Sequence, residues 1–379
     1  MGRRGVVARG LGRSYGDAAQ NAGGTVFDMT GLNHIYGLDH DGVLDCDAGA
    51  TLDALMRFAL PRGWFVPVTP GTRHVTVGGA IAADIHGKNH HRAGSFTRYV
   101  HSIDLLHADG EIRTLTPESD RELFAAAAGG MGLTGIILRA RVQMVPVSSS
   151  WMLVDTERAK DLDSLMAGLE AADSRSPYSV AWIDCLSAGS AMGRGVISSG
   201  DHAELSQLPA SRQTGGRGFA PRSVLSAPPW MPGGILRQQT VAAFNRFWFA
   251  KAPRLRREEL QRIRTFFHPL DGVKGWNRIY GSRGFIQYQF SVPFGAEHAV
   301  QSAVETLSRG RTPSFLAVLK RFGPASTGPM SFPSPGWTLA LDIPAALPGV
   351  GELARSLDDT VLSVGGRVYL AKDSRLDPR

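Results

Sequence analysis

Two glycine-punctuated loops in the first eighty residues constrain this chain more than any other feature. The first reads Arg9-Gly10-Leu11-Gly12-Arg13-Ser14-Tyr15-Gly16-Asp17. The second reads Pro70-Gly71-Thr72-Arg73-His74-Val75-Thr76-Val77-Gly78-Gly79-Ala80. Glycines let successive backbone N–H groups turn inward toward a phosphate, and Arg13 and Ser14 add further donors. The first loop is not a Rossmann fingerprint, because Tyr15 replaces the third glycine of G-x-G-x-x-G. In the second, Thr76 can cap a helix begun by Gly78-Gly79. Its dipole and free N–H groups would favour a pyrophosphate, and the bare glycines would admit a flat ring. Two such loops in one region point to a dinucleotide.

Short strands are expected at 5–10 and 25–29, around the first loop, and again at 43–48. Thr51 opens a helix whose Leu52, Leu55, Met56 and Ala59 keep helical spacing, ending before Gly63. A strand follows at 64–68. Asp109-Gly110 between two apolar runs marks a hairpin over 102–115. Ser119 to Glu122 fits a capping box opening a helix through 128, and a strand is expected at 136–145. No regular βαβ repeat emerges, so the class is α+β rather than doubly wound. Composition shifts near 146–150, a domain boundary. Beyond it, strands are expected at 180–183, 285–292, 315–319 and 337–341, and helices around 160–171 and 295–308. Residues 200–236, rich in Gly, Pro, Ser and Arg, read as a lid or a disordered loop.

At 379 residues, 43% hydrophobic and 20% charged, the chain is long enough for two globular domains. No apolar run approaches the roughly 18 residues that span a bilayer, and the N-terminus lacks a signal pattern. No transmembrane anchor is therefore expected, and peripheral attachment stays open. Cys46 and Cys185, in apolar surroundings, read as buried thiols and not as a disulfide framework or zinc site. The formal charge is +7. It suits an anionic ligand or membrane surface, whereas no dense basic cluster interleaved with aromatics points to nucleic acid. Lysine is scarce, and Lys88, Lys320 and Lys372 fall within motifs. In Asp84-Ile85-His86-Gly87-Lys88-Asn89-His90-His91 the four-residue His86/His90 spacing raises a metal site. Gly87 stands where a zinc helix carries its Glu, and Lys88 would repel a cation, so no metal is expected.

These three motifs, in this order and spacing, resemble the vanillyl-alcohol-oxidase (PCMH-type) FAD-binding fold. More narrowly, the chain resembles the decaprenylphosphoryl-β-D-ribose 2-oxidase family of actinobacterial cell-wall synthesis. The likeness continues through Gly132 to Ile137, Trp182, Phe267-His268-Pro269-Leu270, Trp276-Asn277-Arg278, Gln287-Tyr288-Gln289-Phe290, Lys320 to Pro324 and Tyr369 to Arg375. The resemblance implies a FAD domain over 1–149, an α+β substrate domain with an antiparallel sheet over 150–366, and a return to the FAD domain over 367–379. FAD would be held by Arg9, Gly10, Leu11, Gly12, Arg13, Ser14, Tyr15, Gly16, Asp17, Gly71, Thr76, Val77, Gly78, Gly79, Ala83, Asp84, Ile85, His86, Ile137 and Tyr369. Many relatives of the superfold bond the flavin to a histidine in the first loop. Here that stretch reads Gly12-Arg13-Ser14, so non-covalent FAD is implied.

The family reaction oxidises the C2 hydroxyl of a polyprenylphosphoryl ribose to a ketone, the first half of epimerisation to the arabinose donor for arabinan. Lys372 would hold the reacting oxygen, His86 would orient or exchange the proton, and Tyr15 would assist. Lys88, Trp182, Tyr280, Gln287, Gln289, Lys320 and Ala340 would line the substrate site, and strand packing accounts equally well for Tyr280 and Gln287. An NAD(P)-dependent keto-reductase partner, a quinone-type electron acceptor and peripheral contact with the cell membrane, on either face, are implied. Basic 200–255, with Trp230, Phe247 and Trp248, would supply that contact. Family members carry further residues before the first strand and after Arg375, so the FAD domain is expected to be incomplete at both ends. Close relatives place at Ala340 the cysteine that nitroaromatic inhibitors trap, so only reversible inhibition is expected. Three other readings stand beside this one: an alditol or aldonolactone oxidase, a non-catalytic FAD-binding protein, and a zinc hydrolase.

Overall fold

The computed structural model describes residues 4–221, 225–228, 230 and 236–372. Asp373 to Arg375 and parts of 200–236 and 367–379, singled out above, lie outside them.

Val6–Arg9 and Thr25–Asp28 pair in parallel around the first glycine loop. A five-stranded antiparallel sheet follows, in the order Ile35–Leu38, Val43–Asp47, Ile136–Gln143, Val100–Leu106, Ile112–Leu115. Its pleat sorts the residues: Leu44 and Cys46 enter the core, while Asp45 faces outward to bind Arg139. The helix Leu52–Ala59 starts where the Thr51 hydroxyl accepts the Ala54 N–H, and buries Leu52, Leu55, Met56 and Ala59. A 3₁₀ turn, Leu60–Arg62, then delivers Gly63 at φ 86°, a left-handed stop. Asp109-Gly110 does turn the hairpin, with Gly110 at φ 90°.

Two local expectations fail. The strand expected over 64–68 is only Trp64–Phe65. The Ser119 capping box is absent, because Thr116 captures that side chain; Asp120 becomes the N-cap of Arg121–Ala127 without a side-chain bond.

The second sheet is antiparallel throughout, with eight strands. Their order is Leu255–Arg262, Trp151–Ala159, Gly195–His202, Tyr178–Ile183, Ala317–Phe322, Gly336–Pro344, Phe285–Pro293, Arg367–Val368. The fold is thus α+β. One face, through Ala181, Leu319, Phe290, Leu339 and Leu341, packs on the helices Leu162–Arg175, Glu297–Arg309 and Val350–Leu362. The opposite face turns Met152, Val154 and Tyr178 into the core of the five-stranded sheet, joined there by Ile263, Phe266 and Phe267. That face is therefore the one that looks toward the glycine loops.

The outer edge strand, Leu255–Arg262, reads Leu-Arg-Arg-Glu-Glu-Leu-Gln-Arg, with no apolar alternation to mark it. Its register slips opposite Asp155, where Glu258 adopts φ 53°. Asp155 accepts hydrogen bonds from both Arg257 Nη1 and Glu258 N, which holds the bulge.

Candidate active site

Successive side chains of a strand alternate between faces, and residues opposite one another in antiparallel strands share a face. Gln287 lies opposite Asp342 and Gln289 opposite Ala340. Val318 lies opposite Ala340 and Lys320 opposite Thr338, while Trp182 faces Val318. Gln287, Gln289, Ala340, Lys320 and Trp182, drawn from four strands, therefore sit on the sheet face opposite the one packed on the helices Leu162–Arg175, Glu297–Arg309 and Val350–Leu362. Tyr280 joins them by donating to Asp342 Oδ2 at 3.2 Å, and its ring stacks on Phe285 at 4.2 Å. The Tyr15 ring meets the other side of this group, edge-on to Phe285 at 5.5 Å.

The two glycine loops touch. A Cβ on Gly10 would stand 2.1 Å from Thr76 Oγ1, so only glycine lets the first loop pass beneath the helix cap. Arg13 Nε donates to the His74 carbonyl at 3.2 Å. The buried Arg73 pairs with Asp53 and, at 3.1 Å, with Asp271, anchoring the second loop from both sides. Arg9, Gly12, Ser14 and Gly16 line an open hollow of ≈ 390 Å³. Gly12 is at φ 59° and Gly71 faces open space. A hollow lined by two glycines of the loop together with a guanidinium and a hydroxyl fits a phosphate-bearing cofactor.

The expectation of free N–H groups at the start of the helix from Val77 fails. The first N–H groups of the helix Val77–Ala82 are not free. Val77 N donates to Ala50 O at 2.8 Å, Gly78 N to Ala48 O at 2.7 Å, and Gly79 N to the Thr76 hydroxyl at 3.3 Å. Gly78 is small for a packing reason, since a Cβ there would lie 3.0 Å from that of Ala48. Leu11 and Asp17 lie in the first loop with the others. Ile137 is buried in the five-stranded sheet's core.

After Val77–Ala82 the chain turns sharply at Asp84, φ 38°, and its buried carboxylate holds Thr97 and Ser331. Next to it, Ile85 enters the core and the Ala83 carbonyl accepts from the Tyr369 hydroxyl at 2.9 Å. His86 is thereby delivered onto the sheet face. Its Nε2 lies 3.0 Å from Gln289 Nε2 and its Nδ1 3.2 Å from Lys320 Nζ. Phe322, Phe332 and Tyr369 surround the ring at 4.8, 6.1 and 5.6 Å between centroids. Burial, then the charges of Lys320, His90 and Lys372, hold the His86 imidazole well below its ordinary range. Burial, then Lys372 and Lys88, bring the Lys320 ammonium down to about 7.

Lys372 Nζ lies 4.6 Å over the Tyr15 ring, and Tyr15 N donates to Ala371 O at 3.0 Å. The returning chain thus brings Lys372 to the first glycine loop. Lys88 turns instead to the Phe266 carbonyl and ring, where burial lowers it to about 7. The histidines of the third motif diverge: His90 contacts Ser95 and the Gly323 N–H, His91 the Ser176 carbonyl. Among the described residues no cluster of His, Cys, Asp or Glu is placed to hold a metal. Nor is any helix among them long and apolar enough to cross a membrane. Burial raises the Cys46 thiol to about 12 and raises Cys185 as well, so both are poor nucleophiles.

Sequence reasoning passed over Thr338 and Asp342. Both lie two residues from Ala340, and the period of the pleat carries them to the same face. Phe322 and Phe332 were also missed, since nothing local shows that their rings close on His86.

Residues 3–116 match the family model described as FAD binding domain. Decaprenylphosphoryl-beta-D-ribose oxidase of Mycolicibacterium smegmatis is 47% identical over 377 residues, 99% of this chain and 82% of that protein. An uncharacterised protein of Streptomyces coelicolor is 41% identical over 337 residues, covering 86% of this chain and 90% of its own. Cytokinin dehydrogenase 4 of Arabidopsis thaliana is 33% identical over 155 residues, 38% of this chain and 29% of that protein. With FAD as cofactor, and at this identity across nearly its whole length, the chain belongs to the decaprenylphosphoryl-β-D-ribose oxidase family of flavin-dependent oxidoreductases.

Proposed function

We propose that this chain oxidises the C2 hydroxyl of a polyprenylphosphoryl-β-D-ribose to the 2-keto sugar. The observation that carries the reading is the polar sheet face of Gln287, Gln289, Lys320 and Tyr280, walled by Trp182 and Ala340 and closed by His86, with Lys372 beside Tyr15. A sugar needs several donors and acceptors at fixed angles, and a rigid sheet supplies them. Lys372 and Lys88 give the region a positive field that favours a substrate carrying a phosphate.

FAD supplies the hydride acceptor when bound. The Arg9–Asp17 loop would hold its pyrophosphate, with Gly71, Thr76 to Gly79, Ala83 to His86, Ile137 and Tyr369 around it. Arg13 stands where covalent relatives carry histidine, and a guanidinium forms no such bond, so FAD is held non-covalently. Residues 1–149 and 367–379 serve the cofactor and 150–366 the sugar. Lys372 holds the reacting oxygen near Tyr15. The keto product requires an NAD(P)-dependent keto-reductase to become the arabinose epimer, and a quinone-type acceptor reoxidises the protein.

A lipid-linked substrate places the work at a membrane surface. Supporting this, the helix Gln238–Lys251 exposes Phe247 and Trp248, and the neighbouring edge strand exposes Leu255 beside Arg256 and Arg257. Phe247→Ser with Trp248→Ser should abolish flotation with anionic liposomes; unchanged flotation would remove that element.

The test of the function is the visible spectrum under anaerobic conditions with a polyprenylphosphoryl ribose analogue. Bleaching of the flavin bands is expected. Bleaching by a soluble alditol but not by the analogue would overturn the reading.

A further inference from the structure

Four hydrogen bonds in a row fix the position of every proton between a backbone carbonyl and Lys320. Thr338 Oγ1 lies 2.8 Å from the Phe290 carbonyl. A carbonyl can only accept, so the hydroxyl proton points there and Oγ1 is left with lone pairs for its other neighbour. That neighbour is the Gln289 amide, 3.1 Å away, which must therefore present its nitrogen. Turning the amide over would set two acceptors against each other. The same nitrogen lies 3.0 Å from His86 Nε2, which must accept the second amide proton. A neutral imidazole with Nε2 as acceptor carries its proton on Nδ1. That proton points at Lys320 Nζ, 3.2 Å away. An ammonium has no lone pair to receive it. Only the neutral amine fits.

We infer that the Phe290–Thr338–Gln289–His86 chain holds Lys320 as an uncharged amine, and that Lys320 is the group that takes the hydroxyl proton as the sugar is oxidised. The inference rests on the proposed reaction. Lys320 is then a catalytic residue beside Lys372, and Thr338, Gln289 and His86 are positioning residues that act through Lys320.

The step balances. The C2–H bond would break with its electron pair leaving as hydride, for which FAD, when bound, would supply the acceptor. The O–H bond breaks, its proton goes to the Lys320 lone pair, and the electrons it leaves form the second C–O bond of the ketone. The amine has one lone pair, so it must leave the His86 Nδ1–H to accept the proton. A 3.2 Å contact is long for a hydrogen bond and is given up readily. The resulting ammonium would face another donor in His86 and the positive charges of Lys372 and Lys88, all of which favour passing the proton onward. The other charged or titratable groups nearby are already committed. Asp84 is turned to Thr97 and Ser331, Asp342 to Tyr280 and Gln287, and His90 to Ser95 and Gly323. Burial together with the two neighbouring lysines agrees with this, bringing Lys320 down to about 7.

The experiment is anaerobic stopped-flow reduction of the bound flavin as a function of pH, together with ¹⁵N NMR of histidine-labelled protein without substrate. The wild-type rate should fall on the acid side of neutrality. Lys320→Ala should lose on the order of 100-fold, and methylamine should return part of it in proportion to its free-base concentration. In Thr338→Val the Gln289 amide is released to present its carbonyl, His86 shifts its proton to Nε2, and Nδ1 accepts from a lysine ammonium. The acid limb should then move to higher pH by about one unit or more. Thr338→Ser should restore the wild-type profile. The NMR spectrum should show His86 protonated on Nδ1. An Nε2-protonated ring, an unmoved limb in Thr338→Val, or no response of Lys320→Ala to amine would each overturn the inference. If wild-type protein failed to bleach with the analogue, the substrate reading would fall, and the histidine tautomer would still decide the hydrogen-bond chain.

Discussion

The two halves of this site are built on opposite principles. The glycine-loop side is assembled from contiguous runs, Arg9 to Asp17 and Thr76 to His86, in which sequence neighbours are also neighbours in space. The sheet side is assembled from single residues, Trp182, Gln287, Gln289, Lys320, Thr338 and Ala340, which meet only because four strands pair in one register. The first kind of site is damaged by a change in one loop. The second is damaged by anything that disturbs the pleat, however far along the chain.

Acid should test whether the halves stand or fall together, with a larger effect on stability than any single substitution in either half. His90 bonds the Gly323 N–H, and the His202 ring packs on Phe65, so each histidine joins the two halves. Burial brings His90 to about 3 and His202 to about 4. Unfolded, each titrates near 6.5, so below that pH the unfolded chain binds protons that the folded chain refuses. Stability is therefore fully present above about pH 6.5 and is lost as pH falls toward the folded values, by about 2 kcal/mol for each histidine at pH 5. Urea unfolding at about pH 7 and about pH 5, followed by flavin release and by tryptophan fluorescence, should show one common transition moving to lower urea. Two separated transitions would make the halves independent.

Gly10→Val strikes the contiguous half alone. The new Cβ would displace Thr76 and with it the helix cap, at a cost of about 3 kcal/mol. Purified protein should be colourless. A yellow protein with normal melting temperature would show that the loop can reroute.

Asp342→Ala strikes the register-built half. It removes the acceptor shared by Tyr280 and Gln287, and the expected cost is about 2 kcal/mol. KM should rise while the flavin stays bound; equal loss of flavin would mean that the two halves are not separable.

Ala340→Cys should change stability by less than about 1 kcal/mol. The new thiol should react with a methanethiosulfonate reagent and be protected by substrate, whereas Cys46 and Cys185 stay slow. Absence of protection would remove Ala340 from the pocket wall.

The same contrast explains what the sequence could show. Thr51 and Thr76 as caps and Asp109-Gly110 as a turn follow from local rules, and the structure contains them. The occupied N–H groups of Val77 and Gly78 do not, because the carbonyls that take them, Ala50 and Ala48, arrive from a distant segment. Ser119 misled for a local reason: two hydroxyls competed for one turn, and Thr116 prevailed. On the sheet, Thr338 and Asp342 were within reach of period-two reasoning from Ala340. That Gln289 stands opposite Ala340 was not, since register is fixed by long-range pairing. Leu255–Arg262 has no strand signature at all, and its neighbour Trp151–Ala159 is what makes it one.

That strand has a consequence for the life of the molecule in a crowded cell. It ends an eight-stranded sheet, and an open row of backbone donors and acceptors invites another chain to add itself. Here a would-be partner meets Arg256, Arg257, Glu258 and Glu259, and at Glu258 the backbone bends out of line. A flat, apolar strand would have paired more strongly with its neighbour and then with any other strand it met. The bulge gives up some regularity within the sheet and keeps the sheet from growing.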